Sequence, residues 1–259
     1  MTKTAKKKLL EICCYSLKSC KNAEKGGADR IELCGGFLEG GTTPSVGLLK
    51  SVLDEVSLPV YCMIRPRGGD FLYNEEEMKS MIADIKIMKE YRPAGFVLGL
   101  LSSDGNIDMD KNSKLIEAIG GLPVTFHRAF DMCKNPQLAV EQLISLGIEN
   151  ILTSGQFQTA PKGIQNLKEY KSIAGNRINI MAGSGVNASN ILQLAESGVD
   201  AFHFTAKKSI ASEMTYRNPN INMGAKDADE FMNFESDLDT IREAKTVIEK
   251  LYTSSPSAF

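Results

Sequence analysis

LLEICCYSLKSCKNAEKGGADRIELC, residues 9–34, reads as one complete strand–helix–strand unit. The apolar run at 8–14 suits a buried strand, and a second such run follows at 29–34. Between them, 16–26 is compatible with a helix: Ser16 stands where a cap belongs, and Gly26-Gly27 suits a left-handed C-terminal cap. Period-two alternation divides each strand into two faces. Leu10 and Ile12 oppose Glu11 and Cys13; Ile31 and Leu33 oppose Arg30, Glu32 and Cys34.

The same unit recurs along the chain. Further strand-like segments fall near 59–65, 94–99, 122–128, 150–154, 178–183 and 199–205. Helix-compatible stretches lie at 45–56, 75–91, 110–120, 136–146, 161–174 and 187–197. Asn74 with Glu77 forms a capping-box pattern, and Asn135-Pro136 puts proline in a first helical turn. No Gly/Ser linker or composition shift divides these units. Eight βα units in one run predict a single-domain α/β protein, a TIM-type (β/α)8 barrel over 9–252. Residues 1–8, with four lysines in MTKTAKKK, read as a flexible basic arm, and 253–259 as a frayed tail. Residues 206–234, including Met214–Asn218, Pro219 and Asn222-Met223-Gly224, show no clean period. They read as a long loop after strand 8, a lid or a subunit contact, with an amphipathic stretch at 235–251 closing the helical ring.

The 259 residues, 42% hydrophobic with a formal net charge of −2, can bury a substantial core. That balance gives no reason to expect nucleic acid or an anionic membrane. No apolar run is long enough to span a bilayer, and no apolar region before the first strand suggests a secretory signal. The cysteines at 13, 14, 20, 34, 62 and 133 form no CxxC pair. They read as reduced thiols of a cytoplasmic protein, free to bind a soft metal.

Five strands carry an ionisable group on the inward parity: Glu11, Glu32, Arg65, His127 and His203. Burying such a group costs several kcal/mol unless it is paired or functional, so a site at the barrel mouth is the expected explanation. The thiols of Cys13 and Cys34, expected above the carboxylates of Glu11 and Glu32, either hold a soft ion such as Cu(I) or pack as small hydrophobes. Arg65 and Arg67, followed by Gly68-Gly69-Asp70, either form a fork for a carboxylate or phosphate or neutralise the two glutamates. His127 at the end of strand 5 is placed for acid–base work, or is satisfied by an inward glutamate; Asp131 either orients it or pairs with Arg128. Gly183, Ser184 and Gly185 after strand 7 occupy the usual phosphate-loop position, although glycines also cap turns.

Several classes lose ground. No strand ends in an inward lysine, which disfavours a Schiff-base aldolase; Lys207 and Lys208 lie past strand 8. No His/His/Asp spacing supports a hydrolytic zinc site, and the two glutamates sit beside arginine and histidine, unlike a glycosidase pair.

Taken in order, LEICCYS (10–16), GADRIELC (27–34), EGGTTPS (39–45), IRPRGGDF (64–71), VTFHRAFDM (124–132), LTSG (152–155), MAGSGV (181–186), FHFTA (202–206) and YRN (216–218) resemble the CutC family of copper homeostasis proteins. The resemblance implies a TIM-type barrel, a cytoplasmic location and a homo-oligomer, a dimer or tetramer. It also implies Cu(I) binding through barrel cysteines, here Cys13 and Cys34. The residue pattern keeps a second function open: isomerase- or lyase-like chemistry on a small phosphorylated or carboxylated metabolite. His127, His203, Glu11 and Glu32 would then be the acid–base groups. Arg65, Arg67, Asp70, Arg128, Asp131 and Gly183 to Gly185 would bind the anion. A scaffold without any small-molecule site is the third alternative.

Overall fold

Parallel strands that each bury an apolar outer face under a following helix have one closed arrangement open to them when there are eight. A computed structural model describes residues 7–218, 220–221 and 229–253, and shows that arrangement. The strands are β1 (Leu9–Cys14), β2 (Arg30–Leu33), β3 (Val60–Met63), β4 (Gly95–Leu98), β5 (Val124–Phe126), β6 (Asn150–Thr153), β7 (Asn179–Gly183) and β8 (Ala201–Phe204). They pair in parallel in chain order, and β1 closes on β8. The helices are α1 (Leu17–Lys25), α2 (Val46–Glu55), α3 (Glu75–Lys89), α4 (Met109–Ile119), α5 (Pro136–Ser145), α6 (Ile164–Ala174), α7 (Ile191–Ala195) and α8 (Leu238–Thr253).

The local signals act as the sequence implies. The Ser16 hydroxyl accepts from the Ser19 N–H at 3.1 Å, and Asn74 with Glu77 completes a reciprocal capping box. Asn135 caps α5 with Pro136 in its first turn. The outer faces of the strands (Leu10, Ile12, Ile31, Leu33, Phe126 and Phe202 among them) share one core with the buried faces of the helices. The interior holds two smaller apolar groups. One joins Cys13, Cys34, Tyr61, Met63 and Val97; the other joins Leu152, Met181 and Ala201.

Three stretches differ from the expectation. β5 ends at Phe126 because Arg128–Met132 winds into a tight 3-10 turn capped by His127. Helix α7 starts at Ile191, not 187, because Asn187 and Asn190 turn on the backbone: Asn190 Oδ1 accepts from the Asn187 N–H, and Asn187 Oδ1 from the Ser189 N–H, each at 3.0 Å. Nor is 206–234 entirely a loop. Lys207–Ala211 (β9) pairs antiparallel with Met232–Ser236 (β10), and Phe234 stacks on Phe37 with ring centroids 4.5 Å apart. Two five-residue strands some twenty residues apart carry too little alternation to be recognised singly. Residues 1–6 of the basic arm, Pro219, Asn222-Met223-Gly224 and tail residues 254–259 lie outside the described residues. No helix among the described residues is long and apolar enough to cross a membrane.

Candidate functional site

Parallel register decides which inward residues share a level. Glu11 pairs with Arg30 on β2 and with His203 on β8; Cys13 pairs with Glu32. The expected layering of two carboxylates under two thiols is therefore corrected. Glu11 lies at the bottom, Cys13 and Glu32 stand level, and Cys34 follows β2 toward the rim. Sequence parity shows which face a residue takes, while the stagger between strands sets its height.

The lowest layer is a charge-balanced set. Arg30 Nε donates to Glu11 Oε2, and Glu11 Oε1 lies 2.7 Å from His203 Nδ1. The Arg30 guanidinium also lies 4.1 Å from the Tyr61 ring centroid. Burial pushes the Glu11 carboxyl up, but Arg30 and His203 outweigh it and hold the group at about 2. Arg65 takes no part here, so the expected neutralisation of Glu11 falls to Arg30, while Glu32 has His203 beside it. The sequence placed Arg30 on the inward face without giving it that task.

Above this layer the two thiols meet. Cys13 Sγ and Cys34 Sγ are 3.7 Å apart, and Cys34 Sγ is 3.5 Å from Glu32 Oε2. His203 Nε2 is 3.7 Å from the same carboxylate oxygen. Ligand-type atoms of Cys13, Glu32 and His203 all lie within 4.8 Å of one another. The hydrogen bond from Cys34 holds the Cys13 thiol well below its ordinary range, against burial and with help from His203. Burial, then Cys13, pushes Cys34 well up. Burial and Cys13 likewise raise Glu32 far above a normal carboxyl. His203 is opposed by burial, yet Glu32, Cys13 and Glu11 raise it well above an ordinary imidazole. These directions are consistent with a Cys13 thiolate beside a His203 imidazolium, with the shared protons on Glu32 and Cys34.

The layer opens into a cavity of about 600 Å³ at the C-terminal mouth. Arg65, just past β3, and His127, just past β5, also line it. Arg65 is tied by backbone carbonyls: Nη1 donates to Glu39 O at 2.8 Å and Gly41 O at 2.9 Å, Nη2 to Gly69 O at 2.9 Å. His127 Nδ1 accepts from the Ala129 N–H at 3.1 Å, which leaves the ring proton on Nε2. Burial, then Arg65, lowers His127 from 6.5 to about 3, so the ring is a neutral N–H donor at neutral pH. Arg65 Nε and His127 Nε2 are buried and have no hydrogen-bond partner among the described residues. Leaving a buried donor unsatisfied costs about 1–3 kcal/mol. Room for the imidazole comes from Gly99 beyond β4, where a Cβ would stand 2.6 Å from His127 Nδ1.

Other expected site residues are placed differently. Arg67 turns away from the cavity: its Nε donates to Glu77 Oε1 at 2.5 Å, and its Nη2 to Asp70 Oδ1 at 3.0 Å. Neither Arg67 nor Asp70 lines the cavity; both lie past the end of β3, where alternation no longer fixes direction. Arg128 does line it, paired with Asp131 at 2.8 Å. Asp131 does not orient His127; it accepts from the Ser154 and Gln156 N–H groups at 3.0 and 3.1 Å and pins the loop after β6. Gly183 faces His203 across the β7–β8 register, and a Cβ there would stand 2.5 Å from Leu152 Cδ1. Ser184 and Gly185 line the cavity in left-handed conformations, φ 73° and 71°. Their packing accounts for them: Ser184 Oγ donates to Gln158 O at 2.7 Å, and a Cβ on Gly185 would stand 2.9 Å from Thr159. With α7 only five residues long, no helix dipole of note backs this loop. Tyr15, Phe71 and Lys207 also line the mouth and were not foreseen; Tyr15 and Phe71 fall in segments with no strand parity to read.

A CutC family model matches residues 8–208, all eight barrel strands and the start of β9. The chain belongs to the CutC family. It is 46% identical over 243 residues to family protein CutC of Enterobacter sp. (strain 638), covering 93% of this chain and 98% of that one. The counterpart from Bacteroides fragilis (strain YCH46) is 45% identical over 250 residues, covering 95% and 98%. Among solved structures, a CutC chain from Streptococcus agalactiae, described as a copper homeostasis protein, superposes with a TM-score of 0.73. It is 37% identical and covers 76% of this chain and 98% of that one. A phosphoribosyl anthranilate isomerase from Thermus thermophilus, 13% identical with a TM-score of 0.56, shares the barrel alone.

Proposed function

We propose that this CutC-family chain binds Cu(I) through Cys13 and Cys34 at the floor of the barrel mouth. The sulfur pair carries the reading: two buried free thiols, 3.7 Å apart, one of them poised as a thiolate. Two sulfurs each about 2.3 Å from a single ion at a tetrahedral angle stand about 3.8 Å apart, so the observed spacing fits a shared soft ion. Thiolate donors select Cu(I) over harder ions. Glu32 stands beside the pair as hydrogen-bonding support, and His203 would serve as a third donor through Nε2 once the ion displaces its proton. The named role of the S. agalactiae relative, copper homeostasis, is in keeping with that donor set. Six free cysteines suit a reducing compartment, the cytoplasm. Cu(I) titration under reducing conditions, comparing wild type with the Cys13→Ser/Cys34→Ser protein, tests it. Tight binding in the wild type and its loss in the variant are expected; equal tight binding in both rejects the assignment.

A second reading rests on a different observation. The cavity presents His203, raised well above an ordinary imidazole, beside Cys13, together with two donors without partners, Arg65 Nε and His127 Nε2, an arrangement suited to acid–base chemistry on a small anionic metabolite. Turnover that survives removal of both thiols but is lost in His203→Gln would support it; no turnover in a screen of small anionic metabolites rejects it.

A further inference from the structure

Arg65 and His127 have little to do with a soft ion held on β1 and β2, and their burial has no explanation in the thiol pair. Arg65 is 6% exposed and His127 4%. Among the described residues no carboxylate lies within ion-pair distance of Arg65; its terminal nitrogens donate to backbone carbonyls, and the Tyr73 hydroxyl is its neutral side-chain neighbour. A guanidinium cannot shed its proton, so a positive charge faces the cavity without a counter-ion. Both groups flank one ring, with the Arg65 guanidinium carbon 5.1 Å and the His127 ring 5.0 Å from the Phe71 centroid.

The free atoms define the ligand's chemistry. Arg65 Nε–H and His127 Nε2–H donate and cannot accept, so whatever meets them brings acceptor atoms. One carries a full positive charge and the other is neutral. Two donors and one charge match a planar monoanion with two oxygens; of the other cationic side chains on the cavity wall, Arg128 is paired with Asp131, His203 with Glu11, and Lys207 lies over the Phe37 and Phe234 rings. Part of the cavity wall is apolar, with Phe71 beside both donors and Met63, Leu152, Val186 and Phe204 elsewhere on the lining. That wall suits a short carbon body. We propose that Arg65 Nε and His127 Nε2 anchor the carboxylate of a small organic acid in the barrel mouth, separately from the thiol pair. This deepens the second reading by naming its ligand class, and rests on that reading only in taking the cavity for a small-molecule site.

Calorimetric titration and thermal shift with acetate, pyruvate and lactate, set against inorganic phosphate and sulfate, test the proposal on the full chain. At least one carboxylate is expected to bind saturably, and more tightly than phosphate or sulfate. Two mild variants read the anchor. Arg65→Lys keeps the charge and loses Nε; His127→Asn keeps an acceptor for the Ala129 N–H and loses Nε2. Each is expected to weaken carboxylate binding about tenfold or more. The Cys13→Ser/Cys34→Ser protein is expected to keep carboxylate binding. Saturable binding without turnover leaves the anchor standing and removes the enzyme. The proposal is overturned by no saturable carboxylate binding, by phosphate binding as tightly, by unchanged affinity in both anchor variants, or by loss of binding with the thiols.

Discussion

His127 is expected to make the protein acid-sensitive well above the usual carboxylate range, and the effect has a calculable size. In the fold its pKa falls from 6.5 to about 3, chiefly through burial. Between those values the unfolded chain binds a proton that the native state refuses, so stability falls as pH falls across the window. At about pH 4.5 the unfolded imidazole lies two units below its midpoint, which costs the native state about 3 kcal/mol at ~1.4 kcal/mol per unit. The full penalty, reached only near pH 3, is about 5 kcal/mol. Against a net stability of about 5–15 kcal/mol, either amount is measurable. The perturbation is His127→Asn, which cannot titrate. Urea unfolding of both proteins at neutral pH and near pH 4.5 gives four stabilities. The wild type should lose about 3 kcal/mol more than the variant over that interval, since every other titrating group cancels in the difference. The sequence contains only two histidines, so proton NMR can follow each ring. One should stay neutral to about pH 4 and the other, His203, should stay charged past neutrality. A His127 signal with its midpoint near 6.5, or equal pH dependence in the two proteins, would refute the reasoning.

Two further perturbations address the walls and floor. Glu11→Gln leaves Arg30 and His203 buried without their shared carboxylate, and should destabilise by about 3–5 kcal/mol in urea unfolding. The wild type should also lose the Glu11 contribution as pH falls from about 4.5 through about 2, because that carboxyl is depressed in the fold; a loss under about 1 kcal/mol at neutral pH contradicts the pairing. Gly99→Ala puts a methyl 2.6 Å from His127 Nδ1 and should cost about 1–3 kcal/mol. Combining it with His127→Asn should recover part of that loss, and strict additivity would show that the two do not touch.

The barrel was legible because each strand needs only its own alternation to sort its faces. Glu11, Glu32, His127 and His203 were placed inside on that ground, and all four line the interior or the mouth. Height and partner were not legible, since both depend on stagger between strands. Arg30 therefore went without its role, and Glu32 was placed too low. Past the strand ends even the face is lost: Arg65 and Arg67 read alike, yet one meets the cavity and the other caps α3 through Glu77. The β9–β10 pair escaped because its partners are distant in sequence, β9 is mostly exposed and β10 mostly half-buried, so neither shows a clean alternation.

The β4 wall carries one more consequence. Gly95 and Gly99 flank Val97 on the inward face of that strand and add no side chain of their own, and Tyr61 on β3 and His127 just past β5 spread into the vacated space; a Cβ on Gly95 would stand 2.7 Å from the Tyr61 ring. Volume there is traded between adjacent strands rather than owned by one. Substitutions at these positions should accordingly succeed in compensating pairs and fail singly. A small polar residue at Gly99 with a trimmed residue 127 would hand the donor from one strand to the next. The mouth could then be retuned for a differently shaped guest without substituting either member of the sulfur pair on β1 and β2.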